Sequence, residues 1–233
     1  MDVDECRLVG VTDDLATVQA VRELADYVEF RLGSAEDPRA QLSNYTPGVP
    51  LILSPRAATE GGDTLEPDDV ASIAAAAPPG VVEIVEVPLA DADERGETFE
   101  RLRSREIQLL ISSYSNEAAP SKEELRETIS ECGEHGDLIK VVILVEDERD
   151  ALVLLECLND ASRGETDIAG YGSGAAGKHT RVVSAFYGSR LAYAPIRPDT
   201  GSGDISLKQL NDVLNTIADA QGISRGDELA ESL

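Results

Sequence analysis

The chain has 233 residues, 45 of them acidic and 20 basic, for a formal charge of −25, yet 42% are hydrophobic. That apolar content excludes a disordered acidic chain. The charge argues against nucleic acid and anionic membranes as partners, and no run approaches the roughly 18 apolar residues that cross a bilayer.

Short β-type runs alternate with amphipathic stretches along the chain. A strand is predicted over 8–12, a helix over 15–25 and strands over 27–32 and 50–55. A helix over 67–77 is opened by Pro67-Asp68-Asp69, with acid in its first turn. A strand over 81–89, a helix over 97–105 and a strand over 107–113 follow. Ser121 and Glu124 have the spacing of a capping box, for a helix that ends near Gly133. Next come a strand over 138–145, a helix over 148–161, a weak strand over 167–171 and a strand over 190–194. A last helix opens at Ser206 and runs through Ile217. Eight strands, most followed by a helix, predict a parallel sheet. In this length they predict an α/β chain closed as a (β/α)8 TIM barrel, with a doubly wound open sheet as the alternative. No linker-like run breaks the chain, so we expect one catalytic domain over 1–221 and a polar C-terminal tail over 222–233.

The acid is dispersed, and only four lysines occur, Lys122, Lys140, Lys178 and Lys208. Such a surface stays hydrated in strong brine, where the Debye length falls to about 3 Å at 1 M salt. This reads as a halophilic protein, an ordinary acidic protein being the plainer alternative. Three cysteines without a close pair predict neither disulfides nor a zinc ribbon, and favour a reducing compartment. With the acidic start MDVDECRLVG, unlike a signal peptide, they predict a cytoplasmic chain. His135 and His179 are too few and too far apart to predict a metal site. His135 is expected to be structural, whereas His179 sits in a strand-to-helix loop within reach of the barrel mouth.

In a parallel barrel the site lies at the C-terminal ends of the strands. Lys140 lies inside Leu138-Ile139-Lys140-Val141-Val142-Ile143-Leu144. Burial lowers a lysine's pKa, and a neutral amine is the nucleophile of Schiff-base enzymes. A snorkelling lysine, or one paired with a buried carboxylate, fits the same pattern. Glu29 and Arg31 alternate, so they share one face of their strand, as an outer ion pair or as an inner polar grip. Arg56 ends a strand and Glu60 falls in the loop after it. Ser112-Ser113-Tyr114-Ser115-Asn116 makes a hydroxyl-rich strand exit. Gly172 to Lys178 spaces like a P-loop, but His179 stands where that motif needs Ser or Thr. A glycine-rich turn able to receive an anion is the better reading, ahead of Arg181.

Taken in order, these pieces resemble type I 3-dehydroquinate dehydratases, particularly the short haloarchaeal forms. Val28-Glu29-Phe30-Arg31 resembles the family's Glu-x-Arg strand, and Arg56 with Glu60-Gly61-Gly62 its Arg…Glu-Gly-Gly segment. Gly136-Asp137-Leu138-Ile139-Lys140 resembles its Asp-x-x-Lys strand. Thr180-Arg181, Tyr187-Gly188-Ser189 and Thr200-Gly201-Ser202-Gly203-Asp204-Ile205-Ser206 resemble its Ser-Arg, Phe-Gly-Ser and closing-loop motifs. The resemblance implies a shikimate-pathway lyase that needs no cofactor and no metal. It converts 3-dehydroquinate to 3-dehydroshikimate and water through an imine on Lys140. Arg181 would grip the substrate carboxylate, while Glu29, Arg31, Arg56, Thr200 and Asp204 would bind the rest. Nearby arginines would help keep Lys140 neutral. The family's acid/base histidine falls at Tyr114, and Glu60 would face it. Asp204 stands for a glutamine, Thr200 for a serine and Gly33 for an acid. With Tyr114 there the chemistry is expected to be slower, Tyr114, His179 or water taking the acid/base role. An impaired or repurposed Schiff-base paralogue and a non-catalytic barrel are the alternatives. The small-molecule substrate is the expected partner, and the resemblance leaves a homodimer open.

Overall fold

The computed structural model describes residues 6–46, 48–56, 65–93, 96–164, 167–198 and 204–222. Its strands are β1 (Arg7–Thr12), β2 (Tyr27–Arg31), β3 (Leu51–Ser54), β4 (Val82–Pro88), β5 (Gln108–Ser115), β6 (Leu138–Leu144), β7 (Asp167–Ser173) and β8 (Leu191–Pro195). The helices are α1 (Pro38–Asn44), α2 (Pro67–Ala76), α3 (Gly96–Arg103), α4 (Lys122–His135), α5 (Glu148–Ala161), α6 (Thr180–Val183) and α7 (Leu207–Gln221). All strand pairs are parallel, in the order β7-β6-β5-β4-β3-β2-β1-β8. The expected (β/α)8 barrel is therefore the architecture, and the open doubly wound sheet is not.

The ladder stops between β7 and β8, where other groups complete the ring. The Arg190 N–H donates to the Ile168 carbonyl at 2.8 Å. The Gly170 N–H donates to Ser189 Oγ at 3.1 Å, and that hydroxyl donates to the Leu191 carbonyl at 2.9 Å. Gly188 turns the chain into this seam at φ 102°, and a Cβ there would lie 2.4 Å from Ser162 Cβ. Glycine alone fits both the angle and the space.

Strand alternation divides the core in two. Outward residues such as Val28, Phe30, Val85, Ile111, Val141 and Ile143 pack under the helices. Inward residues Val9, Ile52, Ile84, Leu110, Leu138, Val142 and Leu191 fill the barrel. Capping boxes start α4 at Ser121 and Glu124, α5 at Asp147 and Asp150, and α7 at Ser206 and Gln209. Asp137 accepts a hydrogen bond from the Leu109 N–H at 2.9 Å, which ties the start of β6 to β5.

Several local expectations change. The helix expected over 15–25 is a 3-10 turn over Leu15–Ala20, capped by the Asp14 side chain. Helix α1 had no strong sequence signal, since Pro38 starts a stretch with only Leu42 as a buried apolar residue. Strand β5 runs two residues beyond the expected end, so Tyr114 lies on a strand and not in the loop after it.

Candidate active site

Strand β6 is apolar on both faces except at Lys140, and alternation turns that residue into the barrel. Its side chain is fully buried. The ammonium donates to Glu29 Oε2 at 2.5 Å and to Glu86 Oε2 at 3.2 Å. It also lies 4.3 Å from the centre of the Tyr193 ring, close enough for a cation–π attraction. Glu29 comes from β2 and Glu86 from β4, on the same inward alternation that carries Arg31 and Ile84.

Each glutamate uses its second oxygen differently. Glu29 Oε1 accepts from Arg31 Nε at 3.1 Å. Glu86 Oε1 accepts from the Tyr114 hydroxyl at 3.0 Å. Arg56 covers the other side of Tyr114, its guanidinium carbon 3.6 Å from the ring centre. Arg181 stacks on Tyr171 at 4.0 Å and donates to the Tyr193 carbonyl at 3.3 Å.

Two anions decide the charge of Lys140. Burial alone would lower its pKa, but Glu29 and Glu86 outweigh burial and hold it well above the ordinary lysine value. The expected neutral amine is therefore corrected: the resting group is an ammonium ion, because two carboxylates contact it whereas Arg31 is neutralised by Glu29. Burial likewise opposes ionisation of Glu29, but Lys140 and then Arg31 outweigh it and hold its carboxyl well below the usual carboxylate range. Burial, reinforced by the Glu86 charge, pushes the Tyr114 phenol well up, so it is a neutral donor. Burial does the same to Tyr193, whose hydroxyl has no hydrogen-bond partner among the described residues.

Above this cluster a cavity of about 490 Å³ opens at the C-terminal ends of the strands. Arg31, Arg56, Tyr114, Tyr171, Arg181, Arg197 and Asp204 are among the residues that line it. A larger hollow of about 930 Å³ lies between the turn at Leu15–Ala20 and α1. It is bordered by Glu36 and Asp37, shares Asp13 and Asp14 with the smaller cavity, and holds none of Arg31, Arg56, Tyr114 or Arg181. The chemistry points to the smaller cavity.

The expected residues Lys140, Glu29, Arg31, Arg56, Tyr114, Arg181 and Asp204 thus gather at one barrel end. Asp204 also lies 3.6 Å from Lys178 Nζ. Glu60 and Thr200 lie outside the described residues. His179 is exposed, with Nδ1 at 2.9 Å from the Ala176 carbonyl, and it is not among the cavity's lining residues. His135 ends α4 and lies 3.3 Å from Asp93, in keeping with a structural place. Four residues at this barrel end, Glu86, Tyr171, Tyr193 and Arg197, are not among those the sequence pointed to. Glu86 carried a usable signal, an acid on the same face of β4 as the inward Ile84. Arg197 carried none, since it follows β8 in an ordinary polar loop.

The type I 3-dehydroquinase family model matches residues 8–221 of the chain. The 3-dehydroquinate dehydratase of Haloquadratum walsbyi is 31% identical over 92% of this chain and 93% of that protein. That of Halobacterium salinarum is 31% identical over 84% and 89%, and that of Haloarcula marismortui 28% identical over 93% and 98%. Among solved structures, the type I 3-dehydroquinate dehydratase of Clostridium difficile superposes with a TM-score of 0.78 at 24% identity. It is covered over 93% of its length, against 92% of this chain. The 3-dehydroquinate dehydratase of Geobacillus kaustophilus has a TM-score of 0.79 at 19% identity, covering 92% of this chain and 91% of that one.

Proposed function

The chain belongs to the type I 3-dehydroquinase family, and we propose on that basis that it converts 3-dehydroquinate to 3-dehydroshikimate and water through an imine on Lys140. It is a hydro-lyase of aromatic amino-acid biosynthesis. The observation that carries the imine is a fully buried lysine whose two carboxylate partners bond Arg31 and Tyr114 of an arginine-bearing cavity. A lysine there costs free energy that no packing role requires.

Each group has a task in this reading. Lys140 gives up a proton and adds to the substrate ketone. Loss of water leaves an iminium, which draws electrons from the neighbouring C–H bond and so acidifies it. A base removes that proton, a donor assists the departing hydroxyl, and hydrolysis frees the lysine. The iminium is itself the electron sink, so the reading calls for no cofactor. Arg181 grips the substrate carboxylate with a bidentate fork. Arg31, Arg56 and Asp204 hold the rest of the substrate, and Thr200 would join them, as the resemblance implies. Glu29 fixes Lys140 and Arg31 together. Tyr114 serves as a proton donor, because its raised pKa makes it a poor base at neutral pH. Glu60 would stand beside it, as the resemblance implies.

A cytoplasmic place fits three buried thiols that form no disulfide. Among the described residues no helix is long and apolar enough to cross a membrane.

The test is ultraviolet absorbance of the conjugated product, on pure protein with 3-dehydroquinate in concentrated KCl. A parallel sample is treated with borohydride and weighed. Turnover with an adduct on Lys140 is expected. Turnover without an adduct would remove the imine from the mechanism, and an adduct without turnover would favour an impaired paralogue.

A further inference from the structure

Glu86 is a buried acid for which the reading above has no task. Its side chain is wholly buried, and its two oxygens face different groups: Oε2 the Lys140 ammonium, Oε1 the Tyr114 hydroxyl. Tyr114 in turn borders the cavity. We propose that Glu86 is a catalytic proton carrier, moving the hydrogens of Lys140 through Tyr114 to the substrate oxygen while the imine forms. This rests on the imine reading.

Glu29 and Glu86 differ in what their far oxygens meet. Both acids touch Lys140 Nζ. Glu29 is the shorter contact, but its other oxygen is held by Arg31, which has no proton to exchange at working pH. A proton arriving at Glu29 has nowhere to go. The other oxygen of Glu86 meets a phenol, which both donates and accepts. Glu29 is therefore an anchor, and Glu86 opens onto a path to the cavity.

The step balances. Lys140 passes one proton to Glu86, and the freed lone pair forms the C–N bond as the carbonyl π pair moves to oxygen. The neutral Glu86 carboxyl turns its acid hydrogen to the Tyr114 oxygen, and Tyr114 gives its own hydrogen to the substrate oxygen. A second pass strips another hydrogen from nitrogen and lets the oxygen leave as water. Of three ammonium hydrogens, one stays on the iminium and two enter the relay, which delivers two hydrogens to the departing water. The charge is +1 before and after, and both carriers return to their starting states.

The test is the rate of imine formation, by rapid mixing with 3-dehydroquinate, quenching into borohydride and weighing the Lys140 adduct against time. A carrier predicts that Glu86→Gln slows adduct formation by about 10²–10⁴-fold. A purely electrostatic role predicts the opposite sign. Removing a negative neighbour would lower the Lys140 pKa, free more amine at neutral pH and speed the reaction. Glu86→Asp should recover part of the rate. Tyr114→Phe should also slow it, and the double variant should be no slower than the slower single, because both act on one path. An adduct rate at or above wild type in Glu86→Gln overturns the proposal, as does multiplication of the two single effects. Should Glu86→Gln not fold, Tyr114→Phe decides alone, and a wild-type adduct rate there overturns the path. A wild type that forms no adduct defeats the imine and the carrier together. An adduct unaffected by either substitution defeats the carrier only.

Discussion

Lys140 is tolerated inside a barrel because its neighbours balance it. Two carboxylates and one ammonium would leave a net negative charge, and Arg31 on Glu29 restores neutrality. Removing the lysine strands two like charges in the interior, so Lys140→Ala should abolish the borohydride adduct and lower stability by about 3–5 kcal/mol in urea unfolding, the usual cost of breaking a buried pair. The same cluster has a signature at each end of the pH scale. The folded-state pKa of Lys140 is raised, so its contribution is complete below the ordinary lysine value of 10.5 and is lost as pH climbs through the higher folded value. The folded-state pKa of Glu29 is lowered, so its contribution is present above the ordinary 4.5 and is lost as pH falls toward the folded value. The stability gap between wild type and Glu29→Gln should therefore narrow below about pH 4.5, as read from urea midpoints along a pH series. A constant gap would mean that Glu29 does not feel Lys140 as the geometry implies.

The elements place these residues with little freedom. The period-two alternation of β2, β4, β5 and β6 brings Glu29, Glu86, Ser112, Tyr114 and Lys140 to the same interior, because successive side chains on a strand take opposite faces. A one-residue slip of β5 would bury Ser113 and turn Tyr114 to the helices. The register of Ser112 opposite Lys140 places Tyr114 inward. The seam between β7 and β8 lacks a ladder, and one backbone hydrogen bond and one hydroxyl take its place. Ser189→Ala would leave the buried Gly170 N–H without its partner. Its expected cost is about 1–3 kcal/mol in denaturant unfolding, with the Lys140 adduct still formed, since Ser189 touches neither Lys140 nor its carboxylates. Much of this level is legible in the chain: the strands, the capping box at Ser121 and the helix start at Ser206. The turn at Leu15–Ala20 and helix α1 are not legible, since short segments take their shape from packing and not from propensity.

Over the whole molecule the charge of −25 must coexist with a substrate that carries a carboxylate. Most of the surface repels such a molecule, whereas Arg31, Arg56, Arg181 and Arg197 line the cavity alongside Asp13, Asp14 and Asp204. Those arginines supply the local positive charge that an entering anion needs on a surface otherwise of its own sign. Salt then acts on two levels. It screens the self-repulsion of the acidic surface, so the melting temperature should rise between about 0.1 M and 1 M KCl, as the Debye length falls from about 10 Å to 3 Å. A melting temperature independent of KCl, followed by circular dichroism, would separate this surface from salt adaptation. Contacts made inside the cavity are screened less. Arg181→Ala should therefore raise KM by about tenfold or more even in concentrated salt, at the roughly 1.5–3 kcal/mol of a charged hydrogen bond, and leave the lysine adduct in place.

Chain order alone carried the alternation of eight strands with helices, the family to which the chain belongs and the strand that holds the lysine, while a barrel and an open sheet both fitted it. Those depend on periodicity and order along the chain, which are local properties. It also paired Glu29 with Arg31, because two residues apart on one strand means one face. The tertiary structure decided the state of Lys140 and the part open to Glu86. Glu86 lies 54 positions from Lys140 and meets it because β4 and β6 aim inward at one level of the barrel. Burial alone argues for a neutral amine; two carboxylates within hydrogen-bonding distance make it an ammonium. Electrostatic energy depends on separation in space, and a closed barrel sets that separation among strands that the chain order holds apart.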